Sequence, residues 1–161
     1  MEGSDRLRIR LEQMLERARN LEQPLNAAGV AVRDAAVNRI KQQGGDQSWP
    51  PNKRGGHTGI DTGRMMGSLA VSQVGPGTVQ VGTNVFYARF FQEGTGVFAG
   101  RSAWVVRPKA GKALHWFDQG GEHFAKSVTI PGQPSRPFLL IGSNERALIE
   151  RIFTRWIGEG A

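Results

Sequence analysis

The chain has 161 residues, 21 Lys and Arg against 14 Asp and Glu for a formal charge of +7, and no cysteine. One domain over residues 1–161 is the default at this length, large enough to bury about two-thirds of its unfolded surface, and the lack of thiols excludes a disulfide framework and thiolate zinc or iron–sulfur sites. No apolar run approaches the ~20 residues of a membrane span, and the charged opening MEGSDRLRIRLEQ is not that of a signal peptide, so the expectation is a soluble protein made in a cytoplasm.

Leu7, Leu11, Met14, Leu15, Ala18 and Leu21 recur at helical spacing with charges between them, which predicts a first helix. Pro24 breaks or restarts it. Leu25, Ala28, Val32, Ala36 and Ile40 stripe a second helix that ends before Gly44-Gly45. Residues 43–60 then form a long polar loop rich in Gly and Pro, of the kind that is functional or disordered in a compact domain. Its one large apolar residue, Trp49, either folds back onto the core or anchors a neighbouring subunit.

Asp61-Thr62-Gly63 caps a short helix through Leu69. Ala70–Val74 and Thr78–Gly82 read as a hairpin, with Pro76 favouring a loop longer than two residues. The aromatic run Phe86–Phe91 reads as a short helix or a buried irregular segment ending at Gly94-Thr95-Gly96. Ala103–Arg107 and Lys112–Phe117 read as strands joined by a turn at Pro108-Lys109-Ala110-Gly111. After Asp118-Gln119-Gly120-Gly121, the alternation of His123–Ile130 predicts one more strand. The corner TIPGQPSRPFLL follows: Pro131 ends the strand, Gly132 turns the chain, Pro134 and Pro137 stiffen it, and Phe138 and Leu139 plug the core. Ser143 caps a last helix with Glu145 in its first turn, and Leu148, Ile149, Ile152, Phe153, Trp156 and Ile157 form its apolar face. The sum is an α+β fold: N-terminal helices, a mostly antiparallel four- to five-stranded sheet, and a C-terminal helix packed on it.

Chemistry-bearing motifs are scarce. His57, His115 and His123 lack metal-ligand spacing, although His115 and His123 flank a turn and are able to pair across strands. No phosphate loop, dinucleotide fingerprint or nucleophile elbow is present. Acids are sparse in the strand region, where only Glu93, Asp118 and Glu122 occur. The expectation is a protein that is not an enzyme and takes no cofactor or metal. Arg101, Arg107, Lys109 and Lys112 sit between Glu93 and Asp118 with no acid among them, the one uncompensated basic cluster. Such loop cations hold phosphates without reading sequence, so a nucleic-acid-binding module without sequence preference is the alternative function.

Three blocks carry a family resemblance. Trp49-Pro50-Pro51 with Asp61–Leu69 resembles the "W-x-P … TG-x-L-x-x-S" segment of tailed-phage virion morphogenesis proteins of the Mu-type tail-completion group. Val81–Gly96 is similar to that family's "vGT…YA…hQ-x-G" block, and Ile130–Leu139 to its "iPaRPFLg" block. Ser135 stands where alanine is expected, and Gly132-Gln133 lengthens the approach. Ala113-Leu114-His115-Trp116, Gly120-Gly121 and Ile130-Pro131-Gly132 resemble the related head–tail joining proteins of long-tailed phages.

The resemblance implies a non-enzymatic virion protein, assembled in the host cytoplasm and located at the neck or tail end. It implies a ring, commonly of six copies, that completes the tail or joins it to the head connector. The implied partners are other copies of the chain, the head connector or adaptor, the tail tube or tail terminator, and packaged DNA in the lumen by proximity. Within such a ring, Arg101, Arg107, Lys109 and Lys112 are candidates for the DNA channel, or else solvated loop charges. Trp49 and Arg54 on the 43–60 loop and Phe98 on the 96–103 loop are candidate subunit contacts. Arg136 forms a salt bridge within the fold or a contact across the ring.

Overall fold

The computed structural model describes residues 2–45, 48–50, 57–60, 62–118 and 120–159. The chain is α+β, with two N-terminal helices, short antiparallel strands and a C-terminal helix. It divides into two compact units. One comprises Met1–Val37, Leu69–Thr83 and Leu139–Ala161; the other comprises Asn38–Ser68 and Asn84–Phe138.

In the first unit, α1 (Glu2–Arg19) and the start of α2 (Glu22–Lys41) are separated just before Pro24, which falls in the first turn of α2 where its missing N–H leaves no orphan. The strands β1 (Ala70–Gly75) and β2 (Thr78–Gly82) form an antiparallel hairpin. Gly75 pairs with Thr78, so the loop is only Pro76-Gly77, shorter than the proline suggested. Proline followed by glycine at φ +76° suits a type II turn. That turn matches strand twist poorly, and the register shift between Gln73 and Gly75 absorbs the mismatch. A Cβ on Gly29 of α2 would lie 2.7 Å from Val71 Cγ1 and 2.9 Å from Val79 Cγ2, so only glycine lets the helix sit this close to the hairpin.

The closing helix α5 (Ser143–Gly158) packs on the same hairpin, with Ile149 and Phe153 facing Val79 and Val81 across an apolar cleft of ≈ 570 Å³. It also packs on α1, where the Trp156 indole N–H donates to the carbonyls of Arg17 and Asn20, each at 3.1 Å. Its cap is Gly142 and not Ser143, which is the first helical residue. The Gly142 N–H donates to Glu145 Oε2 at 2.8 Å, so the acid expected in the first turn closes the helix start directly. Only part of the α1 stripe is covered: Met14, Arg17 and Leu21 are half-buried, while Leu7, Leu11 and Leu15 stay exposed.

In the second unit, α3 (Arg64–Gly67) and α4 (Ala88–Glu93) carry the buried Met65 and Ala88. A 3-10 turn (Gly96–Ala99) leads to β3 (Trp104–Val106), which pairs antiparallel with β6 (Val128–Ile130). Between them, β4 (Leu114–Asp118) and β5 (Gly121–Ala125) form a separate hairpin. The alternating run 123–130 is therefore two strands in different ladders, divided at Lys126-Ser127. Its period carries on through the break, which is why it reads as one element. Among the described residues the six strands form three two-stranded antiparallel ladders.

Candidate functional site

Parts of the three sequence blocks that carry the family resemblance, Trp49-Pro50, 84–96 and 130–138, meet inside the second unit. Gly94-Thr95-Gly96 lies beside Pro131–Ser135 and zips to it through the backbone. The Thr95 N–H donates to Gln133 O at 2.9 Å, and the Val97 N–H to Pro131 O at 2.8 Å. In return the Gln133 N–H donates to Thr95 Oγ1 at 2.9 Å. This closeness demands glycine. Gly96 and Gly132 have φ +59° and +112°, and a Cβ on either would collide with a carbonyl of the opposite strand, Pro131 O and Thr95 O respectively. Pro131, Pro134 and Pro137 surrender donors that this arrangement does not use.

A second layer locks the corner to α4. The Arg136 N–H donates to Phe91 O at 2.8 Å, and the Phe138 N–H to Gln92 Oε1 at 2.9 Å. The Phe138 carbonyl accepts from Arg39 Nη1 at 2.8 Å. Phe138 is 2% exposed and tilts against Phe91, with ring centroids 6.0 Å apart. It is the core plug that its place in the sequence implied.

Arg136 is buried and makes no ion pair among the described residues, so the expected salt bridge is absent. Its guanidinium donates instead to Pro50 O, from Nη2 at 3.2 Å and Nε at 3.3 Å, and lies 5.8 Å from the Phe91 ring centroid. Burial lowers its pKa from the usual arginine value. A carbonyl and an aromatic face take the place of a carboxylate because the corner's neighbours in space come from the loop that carries Trp49 and Pro50.

Trp49 follows the reading in which it folds back: it is buried in its own chain and packs edge-on to Phe91 at 5.2 Å. Its indole N–H finds no acceptor among the described residues. The loop end is tied by Gln43, at φ +54°, whose side chain accepts from the Thr58 N–H at 2.6 Å and donates to Thr58 O at 3.1 Å. Arg54 lies outside the described residues.

The remaining candidates are exposed. Arg101 follows the 3-10 turn, while Arg107, Lys109 and Lys112 lie on the connection from β3 to β4. None of the four forms an ion pair among the described residues. Phe98 is half in solvent, and Trp104, Val105, Phe90 and Phe86 are also open.

The β4–β5 hairpin adds a feature that sequence reasoning passed over. His115 and His123 do not face each other: His115 pairs with Phe124 and His123 with Trp116, on opposite faces of the ladder. Each imidazole stacks on its cross-strand aromatic, at 4.6 Å and 5.3 Å between centroids. Each also meets a diagonal carboxylate at 2.8 Å, Glu122 for His115 and Asp118 for His123. The Gly120 N–H, at 2.7 Å, and then His123 hold the Asp118 carboxyl below its ordinary value. The result is a hairpin stiffened on both faces, with Phe117 at 69% and Phe124 at 66% exposure. Period-two spacing of His and aromatics on either side of a Gly-Gly turn was the available signal.

What these residues define is a protein whose sequence motifs build a folding joint and whose open aromatics and cations are free to meet other molecules. The model of the Phage virion morphogenesis family matches residues 4–158, and the chain belongs to that family. It is accordingly a phage virion-associated protein with a structural or assembly role. Comparison with curated proteins found no significant match, and neither did comparison with solved structures.

Proposed function

We propose that the protein is a non-enzymatic neck component that assembles into a ring, which covers its open surface between copies, and completes the tail or joins it to the head connector. The observation that carries this reading is the set of open aromatics on the second unit, Phe86, Phe98, Trp104, Phe117 and Phe124, in a chain of the virion morphogenesis family. Burying them between copies removes apolar area worth roughly 25 cal/mol per Å² from water. The partners proposed are further copies, six in a closed ring, then the head connector and the tail tube or terminator. Assembly takes place in the host cytoplasm.

Arg101, Arg107, Lys109 and Lys112 are proposed to face the DNA in the channel. Their support is exposure without ion-pair partners among the described residues, which leaves their charge available to phosphates. Electron microscopy of purified protein and of virions carrying an antibody-detectable tag tests the reading. Rings in the first sample and label at the neck in the second are expected. Monomers at every concentration, or label elsewhere on the particle, would overturn it.

The same unpaired cations favour one other reading, a nucleic-acid-binding module without sequence preference. It calls for DNA affinity in the free monomer that falls steeply with salt. A monomer indifferent to DNA at low salt removes it.

A further inference from the structure

The chain carries two unlike surfaces with matching chemistry. The first is the β4–β5 hairpin of the second unit, which makes no extensive contact with another helix or strand among the described residues. One of its faces presents His115, Phe117, Glu122 and Phe124. From Leu114 to Ala125 the sequence has two acids, Asp118 and Glu122, and no Lys or Arg.

The second surface is a cleft of ≈ 700 Å³ between α1 and α5 of the first unit. Leu148 and Ile152 supply apolar lining, and Arg10, Arg151, Arg155 and Glu159 supply charge. Arg155 already pairs with Glu159 at 3.6 Å. Arg10 and Arg151 have no ion pair among the described residues, so the cleft keeps an uncompensated positive charge. Guanidinium groups suit both parts of the hairpin, stacking on aromatic faces and pairing with carboxylates.

We propose that the hairpin of one copy docks in the α1–α5 cleft of the next. Phe117 and Phe124 lie on Leu148 and Ile152, and Glu122 turns to Arg10 and Arg151. The inference rests on the ring reading above and names its interface. A second copy is the occupant because the acidic, aromatic knob and the basic, apolar cleft are different patches of one chain. Such a contact runs head to tail and leaves a free knob and a free cleft at its ends, so it propagates, and closes to a ring when the rotation between copies closes. Opposite charge on the two surfaces also sets their orientation and speeds encounter.

Sedimentation velocity on the full chain tests the pairing through two variants, Phe117→Ser for the knob and Arg151→Glu for the cleft. Both residues are exposed, and circular dichroism checks that each variant folds; Phe124→Ser replaces the first if it does not. Each variant alone is expected to need at least about tenfold more protein than the wild type to associate. Mixed one to one, they are expected to form a dimer and stop, since one chain keeps an intact cleft and the other an intact knob. Folded variants that assemble like the wild type, or a mixture that stays monomeric, overturn the pairing and leave the ring reading standing. A wild-type chain monomeric at all concentrations overturns both.

Discussion

The corner joint and the β4–β5 hairpin lie in the same unit, use the same kinds of residue, and treat them in opposite ways. In the joint, Trp49, Phe91 and Phe138 close on one another around a buried arginine. In the hairpin, His115 stacks on Phe124 and meets Phe117 edge-on, and both phenylalanines remain in solvent. The difference lies in the backbone. Three positive-φ glycines at 94, 96 and 132 bring two chain segments into direct contact, and three prolines hold the second segment extended. The hairpin is held by its own ladder, stacks and His–carboxylate pairs, without extensive contact to another helix or strand among the described residues. Aromatic residues alone thus do not say whether a segment is core or interface; the elements that reach them do.

The comparison is sharpened by substitutions that should hurt the joint and spare the hairpin. Phe138→Ala removes the plug, and urea denaturation is expected to show a loss of about 3–5 kcal/mol. A loss below about 1 kcal/mol would mean that the ring is not supporting its neighbours. Gly132→Ala is expected to cost at least about 3 kcal/mol, because the new methyl meets the Thr95 carbonyl at a φ that alanine avoids. A neutral result would mean that the two segments separate without harm.

Trp49→Phe is a milder probe. It sacrifices some packing against Phe91 but also removes an indole N–H buried without an acceptor among the described residues. The expected net change is below about 1.5 kcal/mol, well short of a cavity-forming truncation. A larger loss, again by denaturant titration, would indicate that the N–H is satisfied in solution.

The smallest effect belongs to the hairpin and to pH. The Asp118 carboxyl titrates below its ordinary value because the Gly120 N–H and His123 hold it. A depressed carboxyl contributes order that is present above the unfolded value of 3.8 and is lost as pH falls through the folded one. Trp116 fluorescence, reporting the stack on His123, should therefore change below about pH 4 in the wild type. It should lose that step in Asp118→Asn. An identical acid step in the variant would assign the transition to other groups.

Much of the fold was legible in the sequence because its signals are local. The stripe Leu25, Ala28, Val32, Ala36 and Ile40 marks α2, and Gly-Pro-Gly marks the first hairpin. The core role of Phe138 followed from its place after Pro137. Residues whose partners come from far along the chain were harder to read. Arg136 was expected to find a carboxylate, and nothing nearby in the sequence points to the Pro50 carbonyl 86 positions away. The two strands within 123–130 keep one alternation, so their division shows only when β3 and β4 claim separate partners. Of the candidate site residues, Trp49 and Arg136 belong to the joint, whereas Phe98 and the four cations are exposed.

The contrast between joint and hairpin is tested most directly by amide hydrogen exchange on the wild-type chain, compared between dilute monomer and concentrated assembly. The amides of residues 94–97 and 131–138 should be protected equally in both, since the joint is complete within one chain. Those of 114–125 should slow on assembly together with the α1–α5 region. Assembly that protects the joint while the hairpin exchanges unchanged would contradict the account.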